Sequence, residues 1–337
     1  MPNFLELSDD VRAQIYNTVG PQIGMTPEIL EKDVWLCWTL DALFTINDGV
    51  EMAFKGGTSL SKAYGSISRF SEDIDITVAH ENLDPTIKPF IGEPSRKARD
   101  RMTSTLNEKL NGYVMDVVEP HFRALLTAQF LAGGWVLDIM GDGEELRLTY
   151  PSVTPDKGEI DPDYIREYVK IEFGGRNATV PIEVRTISAY LEGHIGEANL
   201  PHASANVLAG VRTFWEKATL AHVHCHRPTS KANAERLSRH WYDLYKLADH
   251  DIGIQALADR ELLADVVKYK TLFFNSSYAN YDKCLNKELR LIPDSDGLTS
   301  LRDDYQVMLD KLMIYGEIPT FDQIVERLQK LEAQINA

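Results

Sequence analysis

Asp73-Ile74-Asp75, set shortly after Gly56-Gly57-Thr58-Ser59, constrains this chain more than any other stretch. Alternate residues of a strand point to one face. Two aspartates flanking an isoleucine therefore read as a strand that anchors Ile74 in a core and aims both carboxylates at one point. Close carboxylates repel each other unless a cation lies between them. A hard cation with oxygen ligands, Mg²⁺ or Mn²⁺, meets that need. The two glycines let backbone amides approach an anion. Metal-binding acids beside an anion cradle point to phosphoryl or nucleotidyl transfer.

An Asp-x-Asp pair alone is common on strand surfaces; the Gly-Gly-Thr-Ser turn adds an anion-binding element at a helix start. It is not a Walker A loop, because no Gly-Lys-Ser/Thr follows at the required spacing, and adjacent glycines do not make a dinucleotide fingerprint. A third acid would complete a metal site and accept a proton from an attacking hydroxyl. Glu172 in Val169-Lys170-Ile171-Glu172-Phe173 is one candidate, and Asp138 in Val136-Leu137-Asp138-Ile139 is the other.

The charge balance limits the partners. With 51 acidic against 35 basic residues the net charge is −16, which argues against a protein that coats nucleic acid generically. Two basic segments run against that trend: Arg96-Lys97-Ala98-Arg99-Asp100-Arg101, and Arg227 to Lys246 with Lys231, Arg236 and Arg239 against Glu235 and Asp243. Each reads as an RNA-docking groove or as a solvated helix face. Apolar runs such as Val34–Leu40 are too short to cross a bilayer, and the Met1–Ser8 stretch has neither the basic flank nor the cleavage site of a leader. Cys37, Cys225 and Cys284 are scattered, which suits a reducing compartment. A cytoplasmic location is expected.

Thr26 and Pro27 open an amphipathic helix that Asn47-Asp48-Gly49 ends. Met52–Phe54 and Asp73–Val78 are short strands, with a helix opening at Thr58 or Ser59. Helices follow from Pro94 to about Leu110 and near 118–131. Gly134–Tyr150 reads as a hairpin, Tyr168–Phe173 and Val180–Ile187 as strands. Beyond about residue 200 the pattern turns helical, at Val211–His222, Ala234–Asp249, Ile254–Tyr269, Leu301–Leu312 and Thr320–Gln334. His222-Val223-His224-Cys225-His226 invites a zinc reading, but no further ligand has site-like spacing; a helix end before Arg227-Pro228 explains it better.

The motifs now form a pattern. Gly56-Gly57-Thr58-Ser59-Leu60-Ser61-Lys62 followed by Arg69-Phe70-Ser71-Glu72-Asp73-Ile74-Asp75 resembles the first two motifs of the AbiEii/AbiGii toxin family, the nucleotidyltransferase-like toxins of type IV toxin–antitoxin systems that include the mycobacterial MenT proteins. Glu31-Lys32-Asp33 resembles the family's lysine–aspartate–aromatic signature, with Val34 ahead of the aromatic Trp35. Glu216-Lys217-Ala218-Thr219-Leu220 resembles the third motif. Arg239-His240-Trp241-Tyr242-Asp243-Leu244 resembles the fourth, with His240 in place of an acid and Trp241 in place of a leucine.

The resemblance implies an α+β fold: a DNA polymerase β-like nucleotidyltransferase core, a mixed sheet flanked by helices, with a C-terminal helical region. The expected division is 1–195 for the N-terminal helices and core and 196–337 for the helical domain. By resemblance Asp73 and Asp75 bind Mg²⁺; the third acid stays open between Glu172, read from its strand pattern, and Asp138. Gly56, Gly57, Thr58, Ser59, Lys62, Arg69 and Lys217 hold the nucleotide, Gly57 and Ser59 at its phosphates. Lys217 neutralises triphosphate charge, and Asp243 positions a partner near the nucleotide. The implied reaction moves a nucleoside monophosphate from an NTP to an acceptor hydroxyl, with the tRNA 3′ end as the acceptor and phage defence as the setting. The cognate antitoxin would be encoded nearby, without direct contact. Modification of a protein or a small molecule such as an antibiotic, or a nucleotide-binding module that no longer turns over, are the alternatives.

Overall fold

The computed structural model describes residues 1–154, 167–196, 198–228 and 236–337. They form two compact units, Met1–Ala63 with Phe70–Leu208, and Tyr64–Arg69 with Ala209–Ala337.

The first unit is built on a mixed sheet of seven strands among the described residues. They are β1 (Met52–Lys55), β2 (Asp73–Val78), β3 (Val136–Met140), β4 (Glu145–Thr149), β5 (Tyr168–Gly174), β6 (Ile182–Ser188) and β7 (His202–Leu208). Their order is β3-β4-β5-β2-β1-β7-β6. The β2–β5 and β1–β7 pairs are parallel and the rest antiparallel. Helices α1 (Asp9–Ile23), α2 (Pro27–Phe44), α3 (Gly56–Lys62), α4 (His80–Leu83), α5 (Arg96–Tyr113) and α6 (Glu119–Gln129) flank it.

The strands alternate as a one-sided sheet requires. Ile74 and Ile76 of β2, Val169 and Ile171 of β5, and Leu146 and Leu148 of β4 are buried. Their neighbours Asp73, Asp75, Lys170, Glu172, Glu145 and Arg147 share the opposite face, as the registers Asp73↔Lys170↔Arg147 and Asp75↔Glu172↔Glu145 show. Helix α2, which lies against β5 and β7, is buried along almost its whole length. Thr26 caps it by accepting from the Ile29 amide, with Pro27 at its first position.

Three consecutive charges on α2 are buried with it. Successive helical residues point about 100° apart, so Glu31, Lys32 and Asp33 each need a separate partner. Glu31 accepts from the Ser152 hydroxyl, the Val153 amide and the Thr154 hydroxyl. Lys32 Nζ lies 2.6 Å from Glu72 Oε2, and Asp33 Oδ1 lies 2.5 Å from Lys62 Nζ. A buried ion stripped of its partner is strongly destabilising, so this triplet fixes where three distant segments meet the helix.

The second unit is helical: α7 (Gly210–Cys225), α8 (Ser238–Ala248), α9 (Asp251–Ala258), α10 (Arg260–Phe273), α11 (Tyr281–Leu285), α12 (Ser295–Asp310) and α13 (Phe321–Asn336). The segment Ile254–Tyr269, read as one helix, is two; α9 ends and Asp259 caps α10 by accepting from the Leu262 amide. Tyr64–Arg69 also belongs to this unit. Arg69 forms an antiparallel bridge with Ile314, and the Tyr315 amide donates to the Ser68 carbonyl at 3.0 Å.

Among the described residues no helix is long and apolar enough to cross a membrane.

Candidate active site

The first unit brings the glycine turn to the aspartates. β1 pairs with β2 so that Lys55 lies opposite Asp75, and α3 begins on the next residue. Gly56 has φ +82°, and a Cβ built on it would lie 2.0 Å from Asp75 Oδ2. The carboxylate therefore occupies the space that any other residue would fill, and the backbone there is one that L side chains rarely adopt. Thr58 and Ser59 are fully buried. The Thr58 hydroxyl donates to the Asp73 carbonyl at 2.5 Å and lies 2.9 Å from Ser71 Oγ. The Ser59 hydroxyl donates to the Gly56 carbonyl at 3.0 Å. The Thr58 hydroxyl ties the turn to the start of β2, and the Ser59 hydroxyl closes the turn on itself.

Each aspartate faces a lysine on a neighbouring strand: Lys55 across from Asp75, Lys170 across from Asp73. Lys170 Nζ lies 3.1 Å from Asp73 Oδ2 and 2.9 Å from Glu172 Oε1. Burial works to lower the Lys170 pKa, but Asp73 and Glu172 outweigh it and hold the ammonium above its ordinary value. The expected three-carboxylate set is not assembled. Glu172 does sit opposite Asp75, but the Lys170 ammonium joins it to Asp73. Among the described residues no group of three or more His, Cys, Asp or Glu side chains is arranged to hold a metal ion. Asp138 lies on edge strand β3, three strands from β2, or about 14 Å at ordinary strand spacing.

Lys62 faces neither solvent nor the turn. Its ammonium is buried against Asp33 and lies 3.7 Å from the centre of the Tyr190 ring. Burial raises the Asp33 carboxyl despite Lys62 and the Tyr190 amide, which donates to Asp33 Oδ2 at 2.6 Å.

The second unit gathers the other motif residues into one closed cluster. Asp243 on α8 is fully buried. Arg69 grips it with both arms, Nε to Oδ1 at 2.6 Å and Nη2 to Oδ2 at 2.8 Å. Lys217 on α7 lies 2.8 Å from Oδ2 and 3.4 Å from His240 Nδ1. Burial would raise the Asp243 carboxyl, but Arg69 and Lys217 hold it far below the usual carboxylate range. One carboxylate serves two cations, and a guanidinium does not release its proton. Burial, with the nearby Arg69 and Arg239, lowers the Lys217 ammonium more than Asp243 raises it. Burial and the nearby Lys217 and Arg239 keep His240 neutral. Sequence allows Arg69 to pair with Glu72 or Asp73, and Asp243 with Arg239. Instead, Glu72 is taken by Lys32 and Asp73 by Lys170.

His222 is held in the same way. His222 Nε2 donates to the Asn280 carbonyl at 3.0 Å while Nδ1 accepts the Arg290 amide at 2.9 Å. Burial lowers its pKa to about 4. Neither ring nitrogen is left for zinc. Of the basic segments, Arg96, Lys97 and Arg101 are exposed at the start of α5. Lys231 and Glu235 lie outside the described residues.

The model of the family described as "Nucleotidyl transferase AbiEii toxin, Type IV TA system" matches residues 38–327. Among solved structures, the nucleotidyltransferase toxin MenT4 from Mycobacterium tuberculosis H37Rv aligns with 98% of this chain and 89% of its own at a TM-score of 0.48 and 19% identity. No curated protein matches. The chain belongs to the AbiEii family: it is a nucleotidyltransferase, the toxin of a type IV toxin–antitoxin system.

Proposed function

We propose that this AbiEii-family enzyme transfers a nucleoside monophosphate from an NTP to the 3′ hydroxyl of a tRNA, in the cytoplasm, with Mg²⁺ bound by Asp73 and Asp75. The observation that carries the reading is the contact of Gly56 with Asp75. A side chain at that position would displace the carboxylate, and the same residue opens α3, whose first amides have no partner within the helix. Mg²⁺ is commonly held by one or two carboxylates plus substrate phosphates rather than by an all-protein cage. A two-aspartate site is therefore chemically sufficient. When bound, the ion offsets the charge that develops on the phosphoryl oxygens.

In this reading the amides of Gly56 and Gly57 hold the phosphates. Thr58 and Ser59 keep the turn in shape. The acceptor oxygen attacks the α-phosphorus, its bond to the bridging oxygen breaks, and pyrophosphate leaves. Glu172, opposite Asp75 in register, takes the acceptor's proton. In the second unit, Lys217 neutralises phosphate charge, and Asp243 holds Lys217 and Arg69 in place. Lys62 serves as a positioning residue through Asp33.

The test is incubation of the purified protein with each labelled NTP and either total RNA or total protein, with and without Mg²⁺. Label on RNA that is lost on chelation and in Asp73→Ala supports the reading. Label found only on protein would overturn the tRNA assignment, and transfer that survives chelation would overturn the metal. Sequencing RNA from cells making the protein locates any added 3′ nucleotides.

A further inference from the structure

The strand β6 ends the sheet, and its outer edge carries no β partner among the described residues. Open edges of this kind invite pairing with another chain, and proteins usually shield them with charge or proline. Pro181 sits at the entry to β6, but Ile182 and Val184 form an exposed apolar row on one face. Val180, Ile182 and Val184 are 58%, 42% and 71% exposed. The registers Val184↔Asn206 and Ile182↔Leu208 put the two strand residues on the same side of the sheet as Asp75.

What covers this edge is written in its charge order. Glu183 and Arg185 flank Val184 on the other face and are ion-paired within the strand. In an antiparallel pairing of β6 with a second copy of itself centred on Val184, Val184 meets Val184, Ile182 meets Thr186, and each Glu183 meets an Arg185. Shifting the centre by one residue sets Glu183 against Glu183 or Arg185 against Arg185. A slip that pairs odd with even positions turns the apolar row to the wrong face. One register therefore joins opposite charges and apolar side chains together.

We infer that two copies of this chain associate through β6 in that register, making an isologous two-fold dimer with a continuous sheet. The two-fold axis stands perpendicular to the sheet, so both Asp73–Asp75 faces look the same way. Seven strand spacings separate the two β2 strands, about 34 Å before twist. One strand pair buries little area by the standard of stable complexes, so the dimer is concentration-dependent.

Sedimentation velocity of the full chain over a concentration series tests this. A monomer–dimer equilibrium is expected. Val184→Asp and Glu183→Arg should each shift it to monomer, and Glu183→Arg combined with Arg185→Glu should restore dimer. Circular dichroism and thermal midpoint establish that each variant folds, and nucleotide transfer per chain should be unchanged. A wild-type protein that is monomeric at every concentration would overturn the inference. So would dimers that persist in folded Val184→Asp, or a double exchange that stays monomeric. None of these outcomes depends on what the enzyme modifies.

Discussion

Two charge clusters, one in each unit, answer the same problem differently. On the open face of the sheet, Asp73, Lys170 and Glu172 stay partly in contact with water, and the side chains of Lys170 and Asp73 are 16% and 15% exposed. In the helical unit, Asp243, Arg69 and Lys217 are 0%, 4% and 7% exposed. An ion pair at a wet surface adds little to stability and exchanges partners readily. A buried one cannot lose a member without leaving a desolvated charge. The first cluster can therefore exchange partners, whereas the second holds its members in place.

Asp243→Ala attacks the closed cluster and should have the largest effect on stability, a loss of about 3–5 kcal/mol in urea denaturation, because two buried cations lose their carboxylate. Asp73→Asn attacks the open cluster. It should leave the unfolding free energy within about 1 kcal/mol while cutting nucleotide transfer by about a thousandfold, roughly 4 kcal/mol of barrier. If the two variants behaved alike in either assay, the contrast would be wrong. Gly56→Ala sharpens it further. The strained backbone should cost about 1–3 kcal/mol, and the added methyl should displace Asp75, so transfer falls with the aspartate intact.

A separate effect concerns pH. The His222 pKa in the folded protein, lowered to about 4, lies below the ordinary value near 6.5. As pH falls, the unfolded chain takes up this proton first. The contribution is whole above about pH 6.5 and drains between there and 4. Denaturation midpoints measured across that range should fall less steeply in His222→Gln than in the parent chain.

The sheet's polar face was readable because polar and apolar residues alternate in Asp73-Ile74-Asp75-Ile76 and Val169-Lys170-Ile171-Glu172-Phe173. The hairpin at 136–149 announced itself through Gly141 and Gly143, which both take positive φ. Strand β7 was not readable. His202-Ala203-Ser204-Ala205-Asn206-Val207-Leu208 is rich in small residues, and its place between β1 and β6 comes from packing against α2 rather than from strand propensity. At the site, residue types were legible but partners were not. Arg69 and Asp243 lie 174 positions apart, and the nearer acids Glu72 and Asp73 were equally good candidates on charge alone. Lys62 is misleading for the same reason: its carboxylate lies 29 residues earlier, inside α2.

The route of the chain through Tyr64–Arg69 bears on how such a gene can be rearranged. Six codons embedded in the first unit's reading frame supply the guanidinium that the second unit needs. A break after residue 208 would put Arg69 on one fragment and the Asp243 it grips on the other. Shuffling halves between homologues should therefore fail unless the little insert travels with the downstream piece. A split version of the toxin would regain its structure only when both fragments are made together.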